Sequence, residues 1–415
     1  MKVISNLLLL ACKIINHLIP KKLKYVYFIP HDNCSTDKYD IINYRSDNVL
    51  SLFNYMLRDN RFDDYRFNIE ITELEKTGDY SEYCKRINPK IAVNFLRNKK
   101  KSHYNKNNIL YLLKAYYFIF RSSYIFTSSW YYNFIFKTKK QKIICLGYGA
   151  PFKYHYHDAK KFKNMRRIKD VSFDFHVSTS DLASRIESVD SGISYYKFLN
   201  LGYPRNDNLF NVQNIIYAKD ELKKILGYDF KKMILYTPTF RDYEKDETET
   251  RNIFGYFADY NILSDVLVEN ECVLIGKLHP WQNTKIIEKE NLKNMHIFSP
   301  TDKLGLYDLM AISDALITDY TSGYCDYLLL DRPVIFNFYD LETYKRERGF
   351  AFDPIEAVCA GEIVYSFDNL IKSISKILNG FDSFNDKRRL VNSLFNKYSD
   401  SNSSKRICDE FFSVK

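Results

Sequence analysis

Three segments of this chain end apolar runs with side chains that can hold a phosphate. The first is Ser313-Asp-Ala-Leu-Ile-Thr-Asp-Tyr-Thr-Ser-Gly-Tyr-Cys-Asp-Tyr-Leu-Leu-Leu-Asp-Arg-Pro333. Ala315 to Thr318 reads as a strand, with Asp319 and Tyr320 at its carboxyl end. Thr321 and Ser322 are suited to cap a short helix from Gly323 to Leu330. A strand end, a tight turn and a helix start together form an anion site, and the two hydroxyls add donors without a glycine loop. Asp326, one turn inside, is placed to hold a sugar hydroxyl. In the second segment, Tyr236-Thr-Pro-Thr-Phe-Arg241, Pro238 stops ladder pairing. Thr239 and Arg241 then leave the strand end toward the same crevice, where a guanidinium can grip phosphate with two parallel hydrogen bonds. In the third, Lys277-Leu-His-Pro280, the proline holds His279 extended at the same edge. Each group alone also fits a plain structural role. Together they can stabilise charge on a transferring diphosphate without a metal.

Composition narrows the setting. The chain has 415 residues, of which 46% are hydrophobic and 16% aromatic, enough for two or three domains with substantial cores and too apolar for general disorder. With 13 glycines, neither G-x-G-x-x-G nor a P-loop occurs, so any phosphate cradle must use other donors. The eight cysteines form no C-x-x-C, which points to a reducing compartment and away from zinc ribbons and disulfide scaffolds. No His/Cys/Asp cluster has metal-ligand spacing. The net charge of +10 is uneven: Arg97 to Lys169 carries 18 Lys or Arg and a single acid, Asp158, leaving the rest of the chain net negative. These cations interleave with aromatics from Tyr111 to Phe136, which suits an anionic partner or a lipid surface. No nucleic-acid motif accompanies them, and nucleic acid is not the expected partner.

The elements that must position these groups follow a β–α rhythm. Strands are expected at Tyr25–Pro30, Ile91–Phe95, Lys142–Tyr148, Phe175–Ser180, Met233–Phe240, Cys272–Leu278, Ala315–Thr318 and Pro333–Phe338. Helices are expected at Asp47–Leu57, Ile109–Phe120, Ala218–Leu226, Ile262–Glu269, Leu304–Ile312 and Asn369–Leu378. Continuous apolar strands of this kind are buried and parallel. The expected architecture is α/β, two Rossmann-like domains with a cleft between them, the GT-B arrangement. Residues 1–22 suit an amphipathic membrane-surface helix or, equally by spacing, a helix packed on the first domain. Residues 23–206 form the acceptor- and membrane-side domain, 207–382 the donor-binding domain, and 383–415 terminal helices that can cross back.

The order of Leu201-Gly-Tyr-Pro-Arg-Asn-Asp207, Tyr236–Arg241, Lys277–Pro280, Leu316-Ile-Thr-Asp-Tyr-Thr-Ser322 and Arg348-Gly-Phe-Ala-Phe-Asp353 resembles the CDP-glycerol glycerophosphotransferase family, which builds teichoic acids and related capsule polymers. Asp400-Ser-Asn-Ser-Ser-Lys-Arg406 resembles the family's closing element, with Ser401 in place of glycine. The resemblance covers roughly residues 140 to 412. It implies a GT-B fold and a CDP-glycerol or CDP-ribitol donor with no required cofactor. It implies transfer of a phosphoalditol to a phosphate-rich or lipid-linked glycan acceptor, and a peripheral place on the cytoplasmic face of the bacterial inner membrane. His279 and Arg241 fall on catalytic or phosphate-stabilising positions, and Thr321 and Ser322 on the donor diphosphate. Thr239, Asp319, Asp326 and Arg348 join the donor side. Tyr148, Gly149, Lys153, His155, His157 and Arg205 fall on the acceptor side.

One departure stands out. The family's Trp-His-Gly-Thr-Pro-Leu-Lys reads here Gly147-Tyr-Gly-Ala-Pro-Phe-Lys153, so Tyr148 replaces the histidine expected as base. A phenol with its ordinary pKa near ~10 is a poor base at neutral pH unless a cation lowers it. Three readings compete: activation of Tyr148 by the basic surroundings, His155 or His157 in its role, or binding of donor and acceptor with altered or lost transfer. An active enzyme with an altered acceptor subsite is the preferred expectation. A nucleotide-sugar glycosyltransferase of the same fold, or a non-catalytic membrane-surface assembly protein, stays open as the alternative.

Overall fold

The structure, a computed structural model, describes residues 11–30, 47–71, 77–97, 106–128, 137–147, 149, 152, 173–239, 241, 259–278, 294–298 and 304–413. These residues form two parallel sheets. The first contains β1 (Lys22–Ile29), β2 (Arg66–Ile71), β3 (Ala92–Arg97), β4 (Ser122–Thr127), β5 (Lys142–Cys145), β6 (Phe175–Ser178) and β7 (Phe198–Asn200), in the order β3-β2-β1-β4-β5-β6-β7. The second contains β8 (Lys232–Thr237), β9 (Cys272–Gly276), β10 (Met295–Ile297), β11 (Ala315–Thr318), β12 (Val334–Asn337) and β13 (Glu362–Val364), in the order β10-β9-β8-β11-β12-β13. Every strand pair is parallel. This is the GT-B architecture of two doubly wound domains.

Helices make the crossovers. In the first half they are α1 (Asn48–Arg58), α2 (Thr77–Ile87), α3 (Lys106–Arg121) and α4 (Asp181–Ser191). In the second they are α5 (Val212–Leu226), α6 (Tyr260–Glu269), α7 (Leu306–Ile312), α8 (Gly323–Tyr327), α9 (Leu341–Glu347) and α10 (Phe367–Leu378). The chain closes with α11 (Asn385–Phe395) and α12 (Ser403–Phe412). Local sequence explains many of their ends. The Asp47 carboxylate accepts from Leu50 N at the start of α1, Ser180 does the same for α4, and Asn211 for α5. Gly192 and Gly227 close α4 and α5 in the left-handed conformation, with φ of 72° and 76°.

Four strands stop two or three residues earlier than the apolar runs suggest. β5 ends at Cys145 because Gly147 turns the chain with φ +74°, a β8 reaching Phe240 is cut at Thr237 by Pro238, β6 ends at Ser178, and β9 ends at Gly276. Two long strands are absent from the sequence-based expectation. β2 carries Asn68 and Glu70 inside the protein, where Asn94 Nδ2 reaches Asn68 Oδ1 (2.9 Å) and Tyr27 Oη donates to Glu70 Oε1 (3.0 Å). β4 follows α3 without an intervening turn.

The two domains exchange parts. Ile407, Cys408 and Phe411 of α12 lie in the core beneath the first sheet, with Val26, Phe28, Phe67 and Phe126. The Phe412 ring meets Tyr124 (4.4 Å) and Phe62 (5.1 Å). In the other direction, Phe152 is buried in the second domain's core against Tyr324 (5.4 Å), and its carbonyl accepts from Ala351 N (3.3 Å). Residues 11–18 are helical. Cys12 and Ile19 pack on the first domain, and Asn16 donates to Gln141 Oε1 (2.8 Å), while Ile14, Ile15 and Leu18 point outward. This helix therefore packs on the domain with one face and exposes apolar side chains on the other; residues 1–10 lie outside the described residues. Among the described residues no helix is long and apolar enough to cross a membrane.

Candidate active site

In open α/β sheets ligands sit beyond the carboxyl ends of the strands, where the strand order reverses. In the second sheet that point lies between β8 and β11, paired so that Thr237 faces Thr318. The Thr318 hydroxyl donates to the Thr237 carbonyl (3.1 Å). Beyond these residues lie Thr239, Arg241, Asp319, Thr321 and Ser322, so the topology brings together two of the segments picked out by residue type. The third segment leaves β9 beside them, with Lys277 N donating to Tyr236 O (2.8 Å). His279 itself, like Tyr148, Lys153, His155 and His157, lies outside the described residues.

The charged groups here bind one another. Asp319 accepts from Thr239 N (2.9 and 3.0 Å) and from its hydroxyl (2.7 Å). Arg241 Nη1 donates to Asp319 and to the Thr239 carbonyl. Its Nε and Nη2 make a two-pronged contact with Asp340 (3.0 and 2.9 Å). Tyr320 Oη also reaches Asp340 (3.0 Å), and the guanidinium lies among the rings of Tyr320, Tyr339 and Tyr344 at 5.3 to 5.5 Å. Arg241 is only 7% exposed. This changes the expectation that Thr239, Arg241 and Asp319 face the donor. They form a buried network that fixes the ends of β8 and β11, because a buried arginine must have its charge met and the two aspartates meet it.

Asp326 and Arg205 also change roles. Asp326 is fully buried and accepts from Arg205 Nη2 (2.8 Å), Asn206 Nδ2 (3.1 Å) and Tyr307 Oη. Both Asp326 oxygens are thereby engaged inside the protein, and Arg205 is held at the domain junction. Its guanidinium lies between the rings of Tyr203 and Tyr307, each at 5.2 Å. The Arg205 N–H donates to Asn48 Oδ1 (3.2 Å), and Asn48 Nδ2 donates to the carbonyls of Leu146 (3.0 Å) and Gly147 (3.1 Å). The start of α1 is thereby tied to both the Gly147 turn and the junction.

The partly exposed groups between these networks are Thr321, Ser322 and, at the end of α9, Arg348. Ser322 has helical backbone angles and makes no capping bond, so its hydroxyl is not spent on the helix. Thr321 Oγ1 instead accepts from Gly323 N (3.3 Å). α8 is shorter than expected, five residues followed by a 3-10 turn at Leu328–Leu330. Gly149 brings the first domain against this point. A Cβ there would lie 3.2 Å from Ser322 Oγ and 3.3 Å from Arg205 Nη2, tighter than most side chains tolerate. Gly147 thus sits at the first domain's strand ends, Gly149 against Ser322, and Phe152 in the second domain's core.

A buried group that the motifs do not reveal underlies this crossing. A Cβ on Gly147 would lie 2.5 Å from Tyr203 Cε1 and 2.9 Å from the Val177 carbonyl, so only glycine fits. Tyr203 Oη donates to Glu187 Oε1 (3.0 Å), and burial pushes the Glu187 carboxyl up to about 8. His176 Nδ1 lies 3.5 Å from Glu187 Oε2, and burial holds that imidazole neutral, pushed down to about 3. Glu187 stands in an ordinary polar helix segment, so only its position in space marks it.

The architecture, with these strand ends gathered at the switch point of the second sheet, defines a GT-B protein. Residues 46–413 match the family described as CDP-Glycerol:Poly(glycerophosphate) glycerophosphotransferase, and the chain belongs to that family. It is 28% identical over 315 residues to the teichoic acid glycerol-phosphate primase of Bacillus subtilis (strain 168), covering 73% of this chain and 76% of that protein. It is 33% identical over 220 residues to the teichoic acid ribitol-phosphate primase of Bacillus spizizenii, covering 51% of this chain and 52% of that protein. Among solved structures, one of the wall teichoic acid polymerase TagF superposes with a TM-score of 0.69 at 21% identity over 98% of this chain and 95% of the other. The same fold appears in a UDP-GlcNAc 2-epimerase from Neisseria meningitidis, with a TM-score of 0.56 at 14% identity, covering 93% and 98%.

Proposed function

We propose that this chain transfers a phosphoalditol from CDP-glycerol or CDP-ribitol to a hydroxyl of a teichoic-acid-type acceptor. The observation that carries this reading is the meeting of Gly149 with Ser322 at the second sheet's switch point, inside a family match spanning nearly the whole chain. The acceptor oxygen attacks the phosphorus that bears the alditol. A P–O bond forms, the bond to the bridging oxygen breaks, and CMP leaves with that oxygen. The hydroxyl proton goes to a base on the acceptor side, where Tyr148 replaces histidine and His155 or His157 can serve.

Thr321 and Ser322 give hydroxyl contacts to the donor diphosphate, and His279 and Arg348 offset its charge. Arg241 and Asp319 act by positioning these groups. The test is a donor panel of CDP-glycerol, CDP-ribitol, UDP-sugars and CMP-sialic acid, with CMP release as the readout. Activity is expected with a CDP-alditol and is lost in His279→Ala. Normal turnover in that variant would sink the assignment, and UDP-sugar turnover would favour a glycosyltransferase.

The acceptor's setting is proposed to be an anionic membrane surface on the cytoplasmic side. Ile14, Ile15 and Leu18 are exposed on residues 11–18, and Leu113 and Tyr117 on α3, beside the exposed Lys13 and Lys114. Such a face suits the boundary between headgroups and acyl chains. Co-flotation with phosphatidylglycerol vesicles should fall at least several-fold in Ile15→Glu/Leu18→Glu. Unchanged flotation would remove this face from the proposal.

A further inference from the structure

A cavity of about 610 Å³ opens between α1, α2, the segment joining the two domains and the start of α12. None of its lining residues belongs to the donor-side group. Two arginines converge there on one ring. Arg58 Nη2 donates to Tyr83 Oη (2.7 Å) while its Nη1 donates to the Asn54 carbonyl (2.7 Å), and Arg86 lies 5.8 Å from the centre of the Tyr83 ring. The Tyr83 hydroxyl donates on to Asn54 Oδ1 (3.2 Å).

Among the described residues, neither arginine has a carboxylate within ion-pair distance. Glu82, one turn before Arg86, makes no pair with it, and Asp59 and Asp409 are both taken by Arg61 (2.6 Å each). The carboxylate in the wall, Asp207, is turned to α12, accepting from Ser403 N and Ser404 N (2.8 Å each). Two guanidinium groups around one ring repel each other, and an anion between them relieves that repulsion. The remaining polar wall is neutral. Asn208 Nδ2 donates to Ser51 Oγ (3.0 Å) and its Oδ1 accepts from Asn214 Nδ2 (3.3 Å). Amides and hydroxyls of this kind both give and accept, as alditol hydroxyls require.

We propose that this cavity is a second binding site, separate from the donor crevice, for an alditol phosphate or a short phosphodiester-linked alditol chain. The phosphate lies on Arg58 and Arg86, and the hydroxyls on Asn54, Asn208 and Asn214. Choosing an alditol over another phosphate ester rests on the transferase reading; the anion site does not. The volume is within the range of small-molecule pockets and exceeds what a single phosphate needs.

The test is calorimetric titration of the full chain with sn-glycerol 3-phosphate in saturating CDP-glycerol, beside a titration with inorganic phosphate. Binding is expected to persist under the donor and to weaken at least ten-fold in Arg58→Gln/Arg86→Gln. Each single variant should show a smaller loss, and affinity for CDP-glycerol should change less than two-fold. Glycerol 3-phosphate binding that is unchanged in the double variant, or is displaced by CDP-glycerol, overturns the site. Inorganic phosphate binding as tightly as glycerol 3-phosphate overturns the alditol assignment. If CDP-glycerol neither binds nor releases CMP, the transferase reading fails, while arginine-dependent phosphate binding still supports the anion site.

Discussion

Arg205 and Arg241 invite comparison. Arg241 is buried and Arg205 partly so, both lie among tyrosine rings, and both end on aspartate. Arg241 meets two carboxylates, Asp319 and Asp340, within a single domain. Among the described residues Arg205 makes its ion pair with Asp326, and that contact joins the end of the first domain to the second. The first network sets the shape of one strand-end crevice; the second sets how the two halves of the site face each other. In both, the guanidinium is engaged by carboxylate within the protein. In the proposed reaction, substrate contacts fall to the Ser322 and Thr321 hydroxyls, to Arg348 and to the acceptor-side motif.

The largest effect should come from Arg241→Ala, which leaves two buried carboxylates without their cation. A loss of about 3–5 kcal/mol in unfolding free energy is expected from denaturant titration. A loss below about 1 kcal/mol would mean the network is solvated and the arginine available to substrate.

Next is a double-mutant cycle on Arg205→Met and Asp326→Asn, for which a coupling of about 1–3 kcal/mol is expected. Because this pair crosses the domain boundary, the single variants should also lower kcat/KM more than their stability loss alone explains. Zero coupling would break the distinction between the two arginines.

The subtlest expectation concerns what lies beneath Arg205. The Glu187 carboxyl has an ordinary value of 4.5 and is raised by burial to about 8. The stability from its neutral form is fully present below pH 4.5 and is lost as pH rises through about 8. Glu187→Gln should flatten that decline in melting temperature between about pH 5 and 8. His176 acts oppositely: its contribution is fully present above 6.5 and is lost as pH falls toward about 3. An unchanged pH profile in Glu187→Gln would show that the carboxyl stays ionised and sharpen the charge count around Arg205.

Much of the architecture was legible in the sequence. Ala315–Thr318 forms a strand over the expected span because four apolar or β-branched residues sit between a polar turn and Asp319. The motif segments marked the carboxyl ends of β8, β9 and β11, and their order the family. The partners of the charged residues were not legible. Asp340 lies 99 positions from Arg241, and Asp326 lies 121 from Arg205, so topology alone pairs them. A motif arginine read by type looks like a phosphate clamp; its burial and its carboxylates make it a post. β2 escaped notice because Asn68 and Glu70 are polar yet buried by partners on neighbouring strands. β4 escaped because α3 gives no turn residue before it.

The exchange of parts between the domains bears on how the molecule is made. A ribosome delivers the first sheet early, but the rings that cover Phe175, Tyr124 and Phe62 belong to Phe411 and Phe412. Until residues 403–412 have emerged, the first domain carries an open aromatic face and cannot complete its core. The half made first is therefore finished last, and the nascent chain must be kept from associating through that face while the second domain is synthesised.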